Sequence, residues 1–509
     1  MSTNKKRIAK NTVTLYFRMI LVMAATLFTT RIVLKNLGVE DYGIYNVVAG
    51  LVSMFAFLNS SMAGATQRFL SFELGINDAQ RINKVFSQSV IIHFLIALII
   101  FILAETIGLW FVYNKLTIPE ERFDAAMWVY QIAILSFLLH VVNVPYHAAI
   151  IAHEKMNIYA WVSIIEVSLK LGIAYAISIS PADKLITYSL LILSTSIVMF
   201  LFYWLYCKYH FLECHFKLVF EKGKFLEMFS FAGWNIIGNM ANAFRMQGSN
   251  MLLNMFFGPA VNAARGVAHQ VDGAVAHFVT NFQTASNPQI VKTFALKEYE
   301  ASVRLVCQCS KFSFYLMLLI GLPVFFQAEY ILSIWLTEVP PFTVIFVKLI
   351  LLNGILDALS RAIIVYIKAT GNIKWYMIIQ GGFYLLVLPV IYVFLKLGYS
   401  PVSSMIIILV FTFLGTFLRL FVVNKIDRHF SVIQYTKMVL WPATVVGCVT
   451  FVFSSLFSNF YTTSNIIQLV INTLVILLFV ATSLWFLGVE RSEKSYIVSL
   501  IAKFHYKGK

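Results

Sequence analysis

The stretch "VIIHFLIALIIFILAETIGLW", Val90 to Trp110, holds only His93, Glu105 and Thr106 as polar members. A helix rises 1.5 Å per residue, so about twenty apolar residues cross a hydrocarbon core of about 30 Å. A β-barrel strand would alternate over about ten residues instead of running apolar for twenty. A second run, "IIQLVINTLVILLFVATSLWFLG" (466–488), has the same character, and such runs recur along all 509 residues. Only 12% of residues are charged, mean hydropathy is +0.81, and a soluble chain would be about one-quarter charged. The sequence therefore predicts an all-α polytopic membrane protein.

Fourteen spans are expected, at 12–34, 44–65, 86–112, 125–149, 158–179, 186–206, 227–255, 262–286, 306–328, 343–367, 375–395, 402–423, 438–458 and 465–487. Summing alternate loops, the side holding both termini carries 25 Lys and Arg, against five on the other: Lys35, Lys115, Arg122, Lys184 and Lys396. The positive-inside rule puts both ends in the cytoplasm, so the net charge of +16 reads as a topology signal, not a nucleic-acid surface. The basic start "MSTNKKRIAK" is no cleaved signal, because the apolar run after it contains Arg18 and Arg31. Five cysteines show no disulfide framework. "CKYHFLECH" (207–215) has no metal-site spacing, and no metal is expected; an interfacial amphipathic linker fits it better.

That linker splits the chain into an N-lobe (1–226, spans one to six), a C-lobe (227–430, spans seven to twelve), and an additional pair of spans with a tail (431–509). A shift of 220 residues brings Gly38 onto Gly258, Val47 onto Val267, Ala56 onto Ala276 and Ala65 onto Ala285. Six spans per half is an even number, which gives halves of like orientation, one of the repeat designs of alternating access. Pro145, Pro323, Pro389 and Pro442 fall within spans, where each removes a backbone hydrogen bond.

No phosphate-binding loop, zinc motif or paired-carboxylate constellation is present, so neither enzyme activity nor a cofactor is expected. What the spans do carry is charge. Nine basic residues lie within them or at their ends: Arg18, Arg31, Lys170, Arg245, Arg265, Lys311, Lys348, Arg361 and Arg419. Apart from Glu227, the first residue of span seven, only four acids do: Glu105, Glu166, Asp272 and Asp357. A charge at the bilayer centre costs a few kcal/mol, roughly 2.5–3.5 on insertion scales, so each is a functional candidate. Those near a span end, Arg31, Arg265, Lys311 and Arg419, can reach the interface by snorkelling. Glu166 with Lys170, and Asp357 with Arg361, have the spacing of an intrahelical ion pair.

Arg245 stands out, in "GNMANAFRMQGSN" (238–250), deep in its span with no acid near it in sequence. At 100° per residue Asn235, Asn239 and Asn242 share a sector of about 60°, with Arg245 at its flank. That stripe predicts a polar face turned from lipid toward an anion or water. Arg18 on span one has the same isolation.

The stretch "LKNLGVEDYGIYNVVAGLVSMFAFLNSSMAGATQRFLS" (34–71), with its "LG-x-E-D-Y-G-x-Y" turn, resembles the polysaccharide-transporter branch of the multidrug/oligosaccharidyl-lipid/polysaccharide flippase superfamily, and looks like O-antigen and capsule repeat-unit flippases. The resemblance implies two six-helix lobes in a MATE-like V with two extra C-terminal helices. It implies a cavity lined with cations that engage a polyprenyl-diphosphate-linked oligosaccharide and pass it from the cytoplasmic to the outer leaflet of a bacterial cytoplasmic membrane. The diphosphate would meet Arg18 and Arg245, with Lys170, Lys348 and Arg361 as further candidates, and Asn235, Asn239 and Asn242 would meet sugar hydroxyls. Glu105, Glu166, Asp272 and Asp357 are candidates for coupling H⁺ or Na⁺. The membrane potential could serve instead, being worth about 2.3 kcal/mol per charge per 100 mV. Polysaccharide polymerase and glycosyltransferases would be partners. The alternative is a cation-coupled drug exporter of the MATE type. Those often carry an acid in span one, which this chain lacks.

Overall fold

The structure is a computed structural model that describes residues 2–76, 78–153, 155–217, 221–490 and 493–495. Of Arg18 and Asn235 it describes the helical backbone alone, so the roles expected of these two side chains lie outside the described residues.

Helices account for nearly every described residue. The first half holds α1 (Ser2–Ser53), α2 (Ala56–Ile76), α3 (Ala79–Leu103, continuing to Asn114), α4 (Phe123–Ala152), α5 (Met156–Ile179) and α6 (Lys184–His210). After the linker come α7 (Lys222–Ala243, continuing to Phe257), α8 (Pro259–Ala295), α9 (Tyr299–Phe326), α10 (Thr343–Ala358 and Arg361–Ala369), α11 (Lys374–Leu385 and Val387–Lys396) and α12 (Val402–Ile426). The last two are α13 (Val432–Tyr435, continuing to Phe460) and α14 (Ile466–Ser483, continuing to Gly488).

Among the described residues eleven helices are long and apolar enough to cross a membrane, against fourteen expected spans. The second, seventh and eighth expected spans fall outside that set. Span two is broken between Ser53 and Ala56, and its N-terminal part joins α1 across Gly38. α7 and α8 are long enough but too polar, since they carry Asn239, Asn242, Arg245, Gln247, Arg265 and Asp272. Several of their polar groups lie inside the protein: Asn262 and Arg265 are buried, and Gln283 donates to the Ser313 hydroxyl at 3.0 Å.

Packing separates two compact units. One comprises 1–267, 336–343 and 377–407; the other comprises 268–335, 344–376 and 408–509. In the first unit a core of Phe86, Tyr146, Ile150, Met199, Tyr203 and Phe211 lies where α3, α4 and α6 meet the linker. The linker is tied down there: Asn83 donates to the carbonyls of Glu213 (2.8 Å) and His215 (2.7 Å). His153 stacks on Phe211 and meets Glu213 at 2.5 Å. Tyr209, Leu212 and Phe216 stay exposed. No metal-holding cluster exists among the described residues.

Three segments of the first unit, distant in sequence, converge on one guanidinium. Arg122 grips Asp41 with two hydrogen bonds, of 2.8 and 2.6 Å, and Asp183 at 2.6 Å, while Asp183 also caps α6. In the second unit Asp427, just past α12, accepts from the Tyr366 hydroxyl (2.7 Å) and from the backbone (3.0 Å) and ring (2.7 Å) of His429. Partial burial pushes the Asp427 carboxyl up, but these three donors outweigh it and hold the group below its ordinary range.

Two glycines 220 residues apart share one unusual backbone shape. Gly38 has φ 78° and ψ 173°, and Gly258 has φ 76° and ψ −175°. This region is open almost only to glycine. Each glycine turns the chain between two helical stretches, so the weak sequence repeat has a matching backbone repeat.

Candidate functional site

α7 packs antiparallel to span two, and its polar residues divide by what they meet. Asn239 donates to the hydroxyls of Ser61 (2.9 Å) and Ser60 (3.3 Å). Phe244 meets Phe57 edge-on, Gln247 lies against Gly50, and Asn250 donates to the Asn46 carbonyl at 3.3 Å. A Cβ at Gly50 would lie 2.8 Å from the Gln247 side-chain oxygen, so glycine there leaves that amide its place. Further along, Asn250, Asn254 and Asn262 satisfy one another and the Thr117 backbone. These three asparagines are structural: each fills a polar need inside the bundle.

Arg245 is built differently. It lies in a π-helical turn, Phe244–Gly248, in the middle of α7. Such turns insert one extra residue and recur at functional sites. Its guanidinium carbon sits 4.7 Å from the centre of the Tyr384 ring, and one terminal nitrogen donates to the Asn242 side chain at 3.2 Å. The Nε–H is buried and meets no acceptor. Tyr384 and Asn242 fix the plane of the group and leave donor capacity unused. Asn242 is exposed, and in this structure it orients the arginine.

Behind Arg245 stands Arg265, close enough to feel its charge. The sequence places Arg265 near a span end, free to snorkel; the structure buries it to 3% exposure. Its Nη2 donates to the Met246 carbonyl at 3.2 Å and its Nη1 meets the Met405 sulfur at 3.9 Å. No carboxylate pairs with Arg245 or Arg265 among the described residues. Two like charges thus share one region, the reverse of the paired arrangement normally required of buried charge.

The other candidates separate into neutralised groups and one unpaired lysine. Glu166 and Lys170 form the expected ion pair at 2.7 Å and line a cavity of 780 Å³ inside the first unit, together with His140, Asn59, Asn143 and Ser136. Glu105 lies in another π-helical turn, Ala104–Gly108, and accepts from Gln131 at 3.3 Å. In the second unit Asp357 binds Arg361 at 2.6 Å and Arg419 at 3.1 Å, and Arg419 also donates to Ser360 at 2.7 Å. Asp272 lies beside Gly354 in the same unit, within electrostatic reach of Arg361 and Asp357. Lys348 is half-buried with its ammonium 5.8 Å from the Phe325 ring centre, and no acid pairs with it among the described residues.

Lys311 and Arg419 also depart from the snorkelling expectation. Lys311 is 1% exposed and meets Glu493 at 2.8 Å, and Arg419 is buried on Asp357. Their partners are 182 and 62 residues away, so no local spacing could have shown them. Arg265 had one available signal: in the 220-residue shift it falls on Tyr45, inside the "LG-x-E-D-Y-G-x-Y" turn.

Residues 8–294, more than half of the chain, match the family described as polysaccharide biosynthesis protein. No curated protein matches the chain by sequence. Among solved structures, the chain is similar to the lipid II flippase MurJ in an inward closed conformation: TM-score 0.67 at 15% identity, covering 94% of this chain and 99% of that one. A MATE-family multidrug transporter of the MOP superfamily, inward-facing, gives TM-score 0.63 at 12% identity, covering 81% of this chain and 99% of that one. A MOP-superfamily transporter from Pyrococcus furiosus, described as having a binding pocket of reverse polarity, gives 0.58 at 12%, covering 83% and 97%. With these helices and this match, the chain belongs to the polysaccharide biosynthesis protein family and is a multi-pass membrane protein with the MOP-superfamily transporter fold.

Proposed function

We propose that the protein is a flippase that carries a polyprenyl-diphosphate-linked oligosaccharide from the cytoplasmic to the outer leaflet by alternating access. The observation that carries this reading is Arg245. It is a guanidinium held in place by Tyr384 and Asn242, with an unused Nε–H and no acid partner among the described residues. A guanidinium donates two parallel hydrogen bonds to a phosphate, and a second arginine behind it adds field without competing for the ligand. Arg18 and Lys348 are the further anchors in this proposal. Lys170 and Arg361 are each held by a carboxylate one turn away and belong to charge-neutral groups.

The family match supports a cargo from polysaccharide assembly, and the likeness to the lipid II flippase supports a lipid-linked one. The Pyrococcus furiosus neighbour supports the idea that this fold tolerates pockets of unlike polarity. In this proposal the lobes divide at 226 and 430, both termini lie in the cytoplasm of a bacterial cell, and polymerase and glycosyltransferases work alongside. Coupling falls to H⁺, Na⁺ or the membrane potential, with Glu105, Glu166, Asp272 and Asp357 as the acids to examine.

The test is surface polysaccharide in a strain carrying only the variant protein. Arg245→Ala should abolish it with the protein still present in the membrane, and Arg245→Lys should restore it partly. Full surface polysaccharide with Arg245→Ala would remove the site. Drug resistance on overexpression, with surface polysaccharide unaffected by deletion, would favour a MATE-type exporter.

A further inference from the structure

The cavity inside the first unit has no assigned role. It holds 780 Å³, within the range of about 300–1,000 Å³ found for small-molecule sites and far larger than an ion needs. Its wall is rich in polar groups for a space within a helix bundle. Asn59 is 6% exposed and lines the cavity with its Oδ1 unpartnered. The Asn143 Oδ1 and Ser136 Oγ are likewise buried, unpartnered and on the wall. Buried polar atoms left without partners cost about 1–3 kcal/mol each, so three on one wall point to a visitor that satisfies them.

The electrostatics narrow what that visitor is. Glu166 and Lys170 sit mid-helix on α5 and cancel each other at 2.7 Å, so the cavity selects neither anions nor cations. A carboxylate, an ammonium and amide groups side by side give donors and acceptors together, the pattern that matches vicinal hydroxyls. Tyr45, Phe137 and Tyr203 add aromatic faces for the C–H side of a pyranose ring. On the same wall, Ser60 receives the Asn239 amide from α7, which joins the cavity to the helix that carries Arg245.

We propose that this cavity is a sugar subsite, which takes one or two neutral pyranose rings of the cargo while Arg245 holds the diphosphate. This rests on the reading of the cargo as a glycan on a lipid diphosphate, and it adds that glycan recognition and headgroup recognition use separate residues.

The experiment measures binding to the full chain in nanodiscs with two probes. One is polyprenyl diphosphate without sugar; the other is the lipid-linked oligosaccharide fraction extracted from the producing cells. The sugars should tighten binding at least tenfold. Asn143→Ala and Ser136→Ala should each erase that gain and leave the bare lipid within twofold of the parent. Ala133→Leu fills the cavity without touching a polar group and should act the same way, which guards against a folding artefact in the others. Arg245→Ala should weaken both probes equally. A gain from sugar that survives all three cavity variants overturns the subsite, and so does a parent protein that binds both probes alike. Cavity variants that weaken both probes equally also overturn it, since the cavity then serves the headgroup or the fold. If Arg245→Ala changes nothing while the cavity variants erase the gain, the headgroup reading fails and the subsite stands.

Discussion

Among the described residues Arg265 is met by a backbone carbonyl and a methionine sulfur, with a second arginine nearby. Removing a buried charge that lacks a counter-ion relieves its desolvation, and an apolar replacement of similar length is often neutral or stabilising. Arg265→Met is therefore expected to raise the melting temperature, by an amount on the order of 1 kcal/mol of stability, and to lower translocation. A melting temperature that falls would mean the arginine is structural. Arg245 was legible in the sequence because a long apolar context isolates a polar stripe. Arg265 was not, because its depth depends on how α8 packs against α7 and α12, and no periodicity reports that. Lys311 and Arg419 show the same limit from the other direction. Each looked free locally and is satisfied by an acid far along the chain.

Helices that read as apolar runs were found where the sequence expects them, and the departures fall on polar ones. Spans seven and eight trade hydropathy for side chains that bond inside the protein, so composition alone undercounts them. π-helical turns at Ala104–Gly108, Phe244–Gly248, Thr436–Leu440 and Leu484–Gly488 leave no mark in a hydrophobic pattern. The glycine corners are visible in the sequence, since the 220-residue shift aligns Gly38 with Gly258. An alanine at either corner would adopt a conformation costing about 1–3 kcal/mol. Gly38→Ala and Gly258→Ala should each lower the melting temperature in detergent, whereas Gly172→Ala, at a helical glycine with open space around it, should not. Equal stability for all three would mean the corners relax at no cost.

For the molecule as a whole, ties between distant segments matter more than any single helix. Lys311 fastens the segment after α14 to α9, and Asp427 fastens the loop after α12 to α10. The Asp427 carboxyl is held below its ordinary value of 3.8, so its ionised form stabilises the fold above about pH 4. That contribution disappears as pH falls through the lowered folded value. Asp427→Asn should thus melt below the parent at pH 7, and the gap should close as the pH drops below about 4. A gap that is constant with pH would show that the carboxylate's charge contributes nothing.

Arg122 joins three sequence-distant segments of the first unit through a single planar group. A hub of that kind makes the segments share their fate: none can swing away without surrendering hydrogen bonds at the common point. Whatever rearrangement the transport cycle demands of these segments must therefore either keep them together or give up charged hydrogen bonds at that point.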